Sequence, residues 1–187
     1  MPSTLRGADI VVRTLERAGH TDIFTLSGNH IMSLFDAAIE TKLSLMHVRH
    51  EAATVHMADA YGRLTGRPGI AWVTGGPGHA NAVGALFTAL GQETPMVLFS
   101  GHTETDQLGR GGFQELRQVD MAAPVTKAAW MATDTARVGM DVAKAIRIMA
   151  RTDGWTPETL AEHWLPAVKN SFTPLERTRD VYSWDPV

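Results

Sequence analysis

The chain contains no cysteine, which excludes disulfides and thiolate metal sites outright. It has no apolar run near the roughly 20 residues that a bilayer-crossing helix needs, so no membrane partner is expected. The opening stretch, "MPSTLRGADI", lacks the apolar core of a signal peptide, and a cytoplasmic location is the expectation. Positive charge is not in excess, since the formal net charge is −3. Its lysines and arginines are scattered, which leaves no basic field to draw in nucleic acid. A zinc-protease pattern is missing too: the histidines of "HEAATVH" (50–56) stand six apart, whereas that motif needs four on one helical face. No metal site is expected there, and His50 and His56 read as packing or hydrogen-bonding groups.

What remains is a chain of 187 residues with 44% apolar content, enough for one domain with a real core. From Leu5 to Ala18 the apolar residues recur at helical spacing, and Gly19 provides a stop. "DIFTLS" (22–27) is a short apolar strand, followed by helical spacing in "HIMSLFDAAIE" (30–40). The same beat returns in "LSLMHV" then "EAATVHMADAYGRL", and in "GIAWVT" then "GHANAVGALFTAL". "PMVLFS" (95–100) adds a strand whose sequel is a long polar, glycine-rich loop, "GHTETDQLGRGGFQE". A last clear helix is predicted over about 135–150. Apolar strands that each lead into a helix predict an α/β fold: a doubly wound, mostly parallel sheet with helices on both faces.

Ligands of such sheets bind beyond the carboxyl ends of the strands. The informative positions are therefore Ser27-Gly28-Asn29, Arg49-His50-Glu51, the 74–78 turn Thr-Gly-Gly-Pro-Gly, and Ser100-Gly101-His102. Residues 1–150 read as the domain, and 151–187 as an atypical tail with three tryptophans and no apolar strand run, apart from a short helix in "PETLAEHWLPAV".

Glu51 is the most informative charge. At a helix start a carboxylate is favoured by the dipole and caps free amides, which is a sufficient structural reason for it. The small residues around it, "AAT" and "MADA", indicate a tightly packed helix, so the acid is expected to be buried and to need a partner. "TGGPGHANA" (74–82) is a glycine turn that lets a ligand approach the backbone and offers free amides. It lacks the lysine of a phosphate-binding P-loop, and its glycine spacing does not match the dinucleotide fingerprint. "GRGGFQE" (109–115) reads first as a mobile surface loop, although long loops at strand carboxyl ends often carry function.

Taken together and in order, "VRHEAATVHMADAYGRLTGRPGIAWVTGGPGHANAV", "PMVLFSG" and "GGFQELRQVDMAAPVTK" resemble the amino-terminal pyrimidine-binding domain of thiamine-diphosphate-dependent enzymes of the acetolactate synthase group. The resemblance covers about residues 5 to 150. It implies that Glu51 hydrogen-bonds a ring nitrogen of the aminopyrimidine and favours the tautomer that takes the thiazolium proton, with thiamine diphosphate then serving as electron sink beside a 2-oxo group. A protonated or proton-sharing carboxyl suits that task, and burial favours one. By the same resemblance Thr74, Pro77 and Asn81 line the pyrimidine pocket, and Ser27 and Gly28 form the turn that touches the cofactor. Phe113 then faces substrate, and Gln114 faces substrate and cofactor.

Two departures qualify the product and the cofactor. "LSGNH" stands where acetolactate synthases have "YPGG", which leaves a related decarboxylase or carboligase open. Gly-Asp-Gly with paired asparagines, which holds magnesium and diphosphate in the family, has no counterpart beyond "TDGW" (152–155) and Asn170. The resemblance therefore implies a diphosphate-binding partner chain or domain, and a homodimer or hetero-oligomer; FAD is compatible with it, but no residue indicates it. The competing readings are a non-catalytic assembly or regulatory module, whose tail tryptophans Trp155, Trp164 and Trp184 would supply contacts, a truncated remnant of such an enzyme, and a nucleotide-binding α/β protein using the 74–78 turn.

Overall fold

In a computed structural model, which describes residues 5–150, the elements run α1 (Gly7–Arg17), β1 (Asp22–Thr25), α2 (Met32–Ala38), β2 (Ser44–His47), α3 (Glu51–Thr65), β3 (Gly69–Val73), α4 (Pro77–Gly91), β4 (Met96–Ser100), α5 (Gln118–Ala122) and α6 (Val138–Met149). Every strand pair is parallel, in the order β2-β1-β3-β4. The expected α/β architecture is the observed one. Period-2 alternation sorts the strand residues between two layers. Ile23, Ile70 and Trp72 pack with Val11, Val12 and Leu15 of α1 and Val142 and Ile146 of α6, on what we call the back face. Phe24, Ala71 and Val73 pack on the front face with Val55 and Ala58 of α3 and Ala82 and Leu86 of α4.

The front helices sit close because small residues let them. Were Gly69 to carry a Cβ, it would overlap the backbone carbonyl of Ala58 in α3, and one on Gly62 would overlap the carbonyl of Pro95. α3 ends at Gly66, whose φ of 68° is the left-handed cap that glycine takes without steric cost. β1 has β2 on one side and β3 on the other, reached through α2 on the back and α3 on the front. The carboxyl ends of β1 and β3 thus flank the point where the strand order reverses.

Several local expectations shift. α2 is shorter than the predicted 30–40 helix, because Asn29–Ile31 form a 3-10 turn first. α6 begins at Val138 rather than near residue 135, since the Asp134 carboxylate accepts the Ala136 amide in a turn. Strand β2 is not sandwiched like the fully buried β3: it lies at the sheet edge among the described residues, and Ser44 and His47 are exposed. The loop after β4 is no free surface segment. Glu115 gathers the amides of Gly109, Gly111 and Gly112 at 2.6, 2.9 and 3.2 Å, and His102 Nε2 donates to the Leu116 carbonyl at 3.1 Å. The tail and the short helix predicted in it lie outside the described residues.

Candidate functional site at the carboxyl ends of β1 and β3

Glu51 is the first residue of α3, and the imidazole of His50 just before it caps the helix by accepting the Ala52 amide at 3.2 Å. With the cap supplied by His50, the Glu51 carboxylate is released from that duty. It turns toward α4, where Asn81 Nδ2 donates to Oε2 at 3.0 Å. Its other oxygen lies over Gly78, at which a Cβ would stand 3.2 Å from Glu51 Oε1 and 2.6 Å from Thr74 Cγ2. Gly78 is thus a glycine because Glu51 and Thr74 close on it from two sides. Full burial of Glu51 is the expectation that fails: the residue is only half-buried, since it borders the open mouth of the sheet rather than its core.

Thr74, at the end of β3, joins the turn after β1 to the rest. A Cβ on Gly28 would overlap the Thr74 side chain, so the two strand ends touch through that glycine. Pro77 opens α4 at its first turn, where its missing N–H costs nothing. Ser27 is the one predicted residue that faces elsewhere. Its amide and hydroxyl both meet Nε2 of His47 on β2, at 3.2 and 3.1 Å. Gln114 has a φ of 55°, a left-handed conformation that costs a non-glycine residue on the order of 1 kcal/mol. A Cβ on Gly76 would come within 2.5 Å of the Gln114 carbonyl, so only the bare backbone of the β3–α4 turn admits this loop. Phe113 is 65% exposed and its ring stacks on His30 at 5.6 Å between centroids.

Four residues have a structural weight that the sequence reading did not assign. Buried Gln118 accepts the Gly76 amide at 2.8 Å and donates to the Gly101 carbonyl at 2.9 Å. Buried His79 bridges Ser100 Oγ at 2.6 Å and the Gln118 carbonyl at 3.0 Å; burial first, and the nearby His102 charge after it, push its pKa down. Glu115 is held below its ordinary carboxylate range, chiefly by the Gly109 amide, with Gly112 and Gly111 adding to it against the cost of burial. His30 bonds Thr74 Oγ1 at 3.1 Å and the Phe113 carbonyl at 3.0 Å. The departure "LSGNH" was the one visible signal for His30. His79 stood out only as a histidine where a small residue commonly follows Gly-Pro-Gly, Gln118 has partners distant in sequence, and Glu115 has its three amides within six residues.

A groove of about 610 Å³ runs beside the loop, lined by residues that include His102, Gln114, Glu115, Arg117 and Met131. Glu51 does not line it. Among the described residues, no cluster of three or more His, Asp or Glu side chains is arranged to hold a metal ion, and no helix is long and apolar enough to cross a membrane.

The arrangement is a partly buried carboxylate that, among the described residues, accepts from the Asn81 amide, set at a strand-order reversal between two glycine turns. Comparison with known families places the chain. The thiamine pyrophosphate enzyme N-terminal TPP binding domain matches residues 5–121, well over half the chain and all of β1 to β4. The chain belongs to this family. It is 36% identical over 143 residues to the acetolactate synthase large subunit of Buchnera aphidicola, an overlap of 75% of this chain and 25% of that protein. Against the acetolactate synthase isozyme 3 large subunit of Escherichia coli it is 36% identical over 148 residues, 78% of this chain and 26% of the relative. The catabolic acetolactate synthase of Raoultella terrigena is 35% identical over 141 residues, with 75% and 25% covered. The chain spans about a quarter of the length of these curated relatives. It is the thiamine-diphosphate-binding N-terminal domain of acetolactate-synthase-like enzymes, and the acid that opens α3 falls inside the matched span.

Proposed function

We propose that this domain forms the pyrimidine end of a thiamine diphosphate site and works in the decarboxylation or carboligation of 2-oxo acids. The observation that carries the reading is the Glu51 carboxylate, with Asn81 as its hydrogen-bond donor among the described residues. A carboxylate has about four acceptor positions, so this one retains capacity for a ring nitrogen and an amino group. That capacity, on a carboxylate held beside Thr74 against the Gly78 backbone, suits an aminopyrimidine. When bound, thiamine diphosphate supplies the electron sink for cleaving the bond next to a carbonyl. Glu51 would share a proton with the ring nitrogen of a bound aminopyrimidine, and Asn81 fixes the rotamer that presents the carboxyl. Thr74, Pro77 and Gly28 shape the pocket wall, Ser27 braces the β1 turn through His47, and Gln114 with Phe113 covers the mouth toward substrate.

Magnesium and the diphosphate belong, in this reading, to a second domain or subunit carrying Gly-Asp-Gly, and the assembly is a homodimer or hetero-oligomer. Leu64 of α3 and Phe87 of α4, 87% and 66% exposed on the outer front face, support a further domain packing there. No residue here recommends FAD. Residues 1–150 act as the pyrimidine-binding unit with 151–187 as an appended tail, and a cytoplasmic setting suits a chain without cysteine. The test is reconstitution. The isolated chain is expected to be inactive on 2-oxo acids, and a diphosphate-binding domain added with magnesium and thiamine diphosphate is expected to restore decarboxylation. Failure of the mixed sample to bind thiamine diphosphate would refute the reading.

A further inference from the structure

His30 stands between three strand ends. Its Nε2 donates to the Phe113 carbonyl at 3.0 Å, because a carbonyl can only accept, and its Nδ1 shares a hydrogen bond with the Thr74 hydroxyl at 3.1 Å. Its ring lies nearly parallel to that of Phe113, 19° between planes. Room for it comes from Gly101 at the end of β4, where any Cβ would overlap the His30 side chain. One side chain from the β1 turn therefore touches the ends of β3 and β4 and the loop that carries Phe113 and Gln114.

We infer that His30 is a positioning residue that clamps the Phe113-Gln114 segment over the mouth of the site and so sets how substrate is received. Both ring nitrogens are engaged within the protein, so His30 acts through Phe113 and not by touching the reacting atoms. Other restraints act on the loop, among them the His102 bond to the Leu116 carbonyl and the close fit of Gln114 on Gly76. Glu115 closes it upon itself through three amides, which gives it shape without fixing its place on the sheet. Gln118 and His79 anchor its far end to β3, β4 and α4. At Phe113 itself the side-chain tether is His30, and Phe113 is otherwise largely exposed. The clamp rests on geometry alone, while its consequence for substrate rests on the thiamine diphosphate reading above.

The experiment is amide hydrogen exchange on the full chain for the wild type and for His30→Ala, His30→Phe and His30→Gln. In His30→Ala, the amides of 113–115, which lie outside the Glu115 bonds to Gly109, Gly111 and Gly112, should exchange about tenfold faster while those of α3 and β3 keep their rates. His30→Phe retains a ring for stacking but loses both hydrogen bonds, so it should fall between. His30→Gln, whose amide can donate to the Phe113 carbonyl, should recover most of the protection. Unchanged loop exchange in His30→Ala would overturn the clamp, as would an equal acceleration of α3 and β3, which would mark a fold defect instead. In the reconstituted enzyme, His30→Ala should raise the KM for a 2-oxo acid about tenfold with a smaller change in kcat. A fall in kcat at constant KM would overturn the role toward substrate. If the loop loosens as expected but the reconstituted wild type has no 2-oxo-acid activity, the clamp stands and the thiamine diphosphate reading falls.

Discussion

The two faces of the sheet are built differently. On the back, α1 and α6 meet β1 and β3 through large side chains, Leu15, Ile23, Trp72 and Ile146 among them. The front layer instead uses alanines and glycines to bring α3 and α4 against the sheet, so that a single methyl at Gly62 or Gly69 would strike backbone. Large side chains maximise apolar burial and tolerate some repacking. Backbone-to-backbone contact supplies less area per residue but allows little movement. The face that carries Glu51 and Asn81 is the one with little room to shift, and the face remote from them provides bulk stability.

That division can be broken by pairing two variants of similar cost. Gly69→Ala drives a methyl into the Ala58 carbonyl and should lower unfolding free energy by about 3 kcal/mol, read by urea denaturation. Leu15→Ala empties fully buried space on the back face and should cost about 2–5 kcal/mol. At equal folded fraction, only Gly69→Ala should impair thiamine-dependent turnover in the reconstituted enzyme, because it displaces the helix that begins with Glu51. Equal impairment by Leu15→Ala would dissolve the distinction.

Acid should act at two buried histidines. Burial, and after it the charge of Arg67, pushes the His20 pKa down to about 4 from 6.5, and His79 on the front is lowered as well. A histidine kept neutral by the fold binds its proton more readily when unfolded, so stability falls as pH drops from about 6.5 toward 4. The His20 share is on the order of 2 kcal/mol after allowance for solvent screening. Thermal melts between those pH values should show the decline, and His20→Gln should flatten it.

Smaller effects sharpen the picture on the front face alone. Asn81→Ala removes the donor to Glu51 at an exposed position, so stability should change by less than about 1 kcal/mol while reconstituted activity drops clearly. A variant with full activity would show that Glu51 needs no such anchor. Gly84 lies on the open side of α4 with nothing within 4 Å of a Cβ. Gly84→Ala should therefore stabilise by about 0.5–1 kcal/mol, the reverse of Gly69→Ala, and a melting temperature decides it.

The sheet and most helices were legible because period-2 and period-3.6 patterns report which residues are covered. Glu51, Thr74, Asn81 and the 113–114 pair were found through motif order, and the structure joins Glu51, Thr74 and Asn81 around Gly78. Full burial of Glu51 was overestimated because small neighbours report close helix packing, not which way a carboxyl turns. The ordered loop went unread for a related reason. Its fixed shape depends on Glu115 meeting three amides and on His30 reaching across more than eighty residues of sequence, and neither leaves a local pattern. The partners of His79, Gln118 and Gly101 were hidden likewise, being adjacent only after folding.

The central claim is that the Glu51 carboxyl activates a thiamine cofactor from its place at the start of α3. Its most direct test is the rate of 2-oxo-acid decarboxylation by Glu51→Gln in the reconstituted enzyme, with folding verified by an unchanged melting temperature. Glutamine keeps the size and the contact with Asn81 but cannot share the proton, so turnover should fall at least about a hundredfold. Turnover at the wild-type rate would contradict the account.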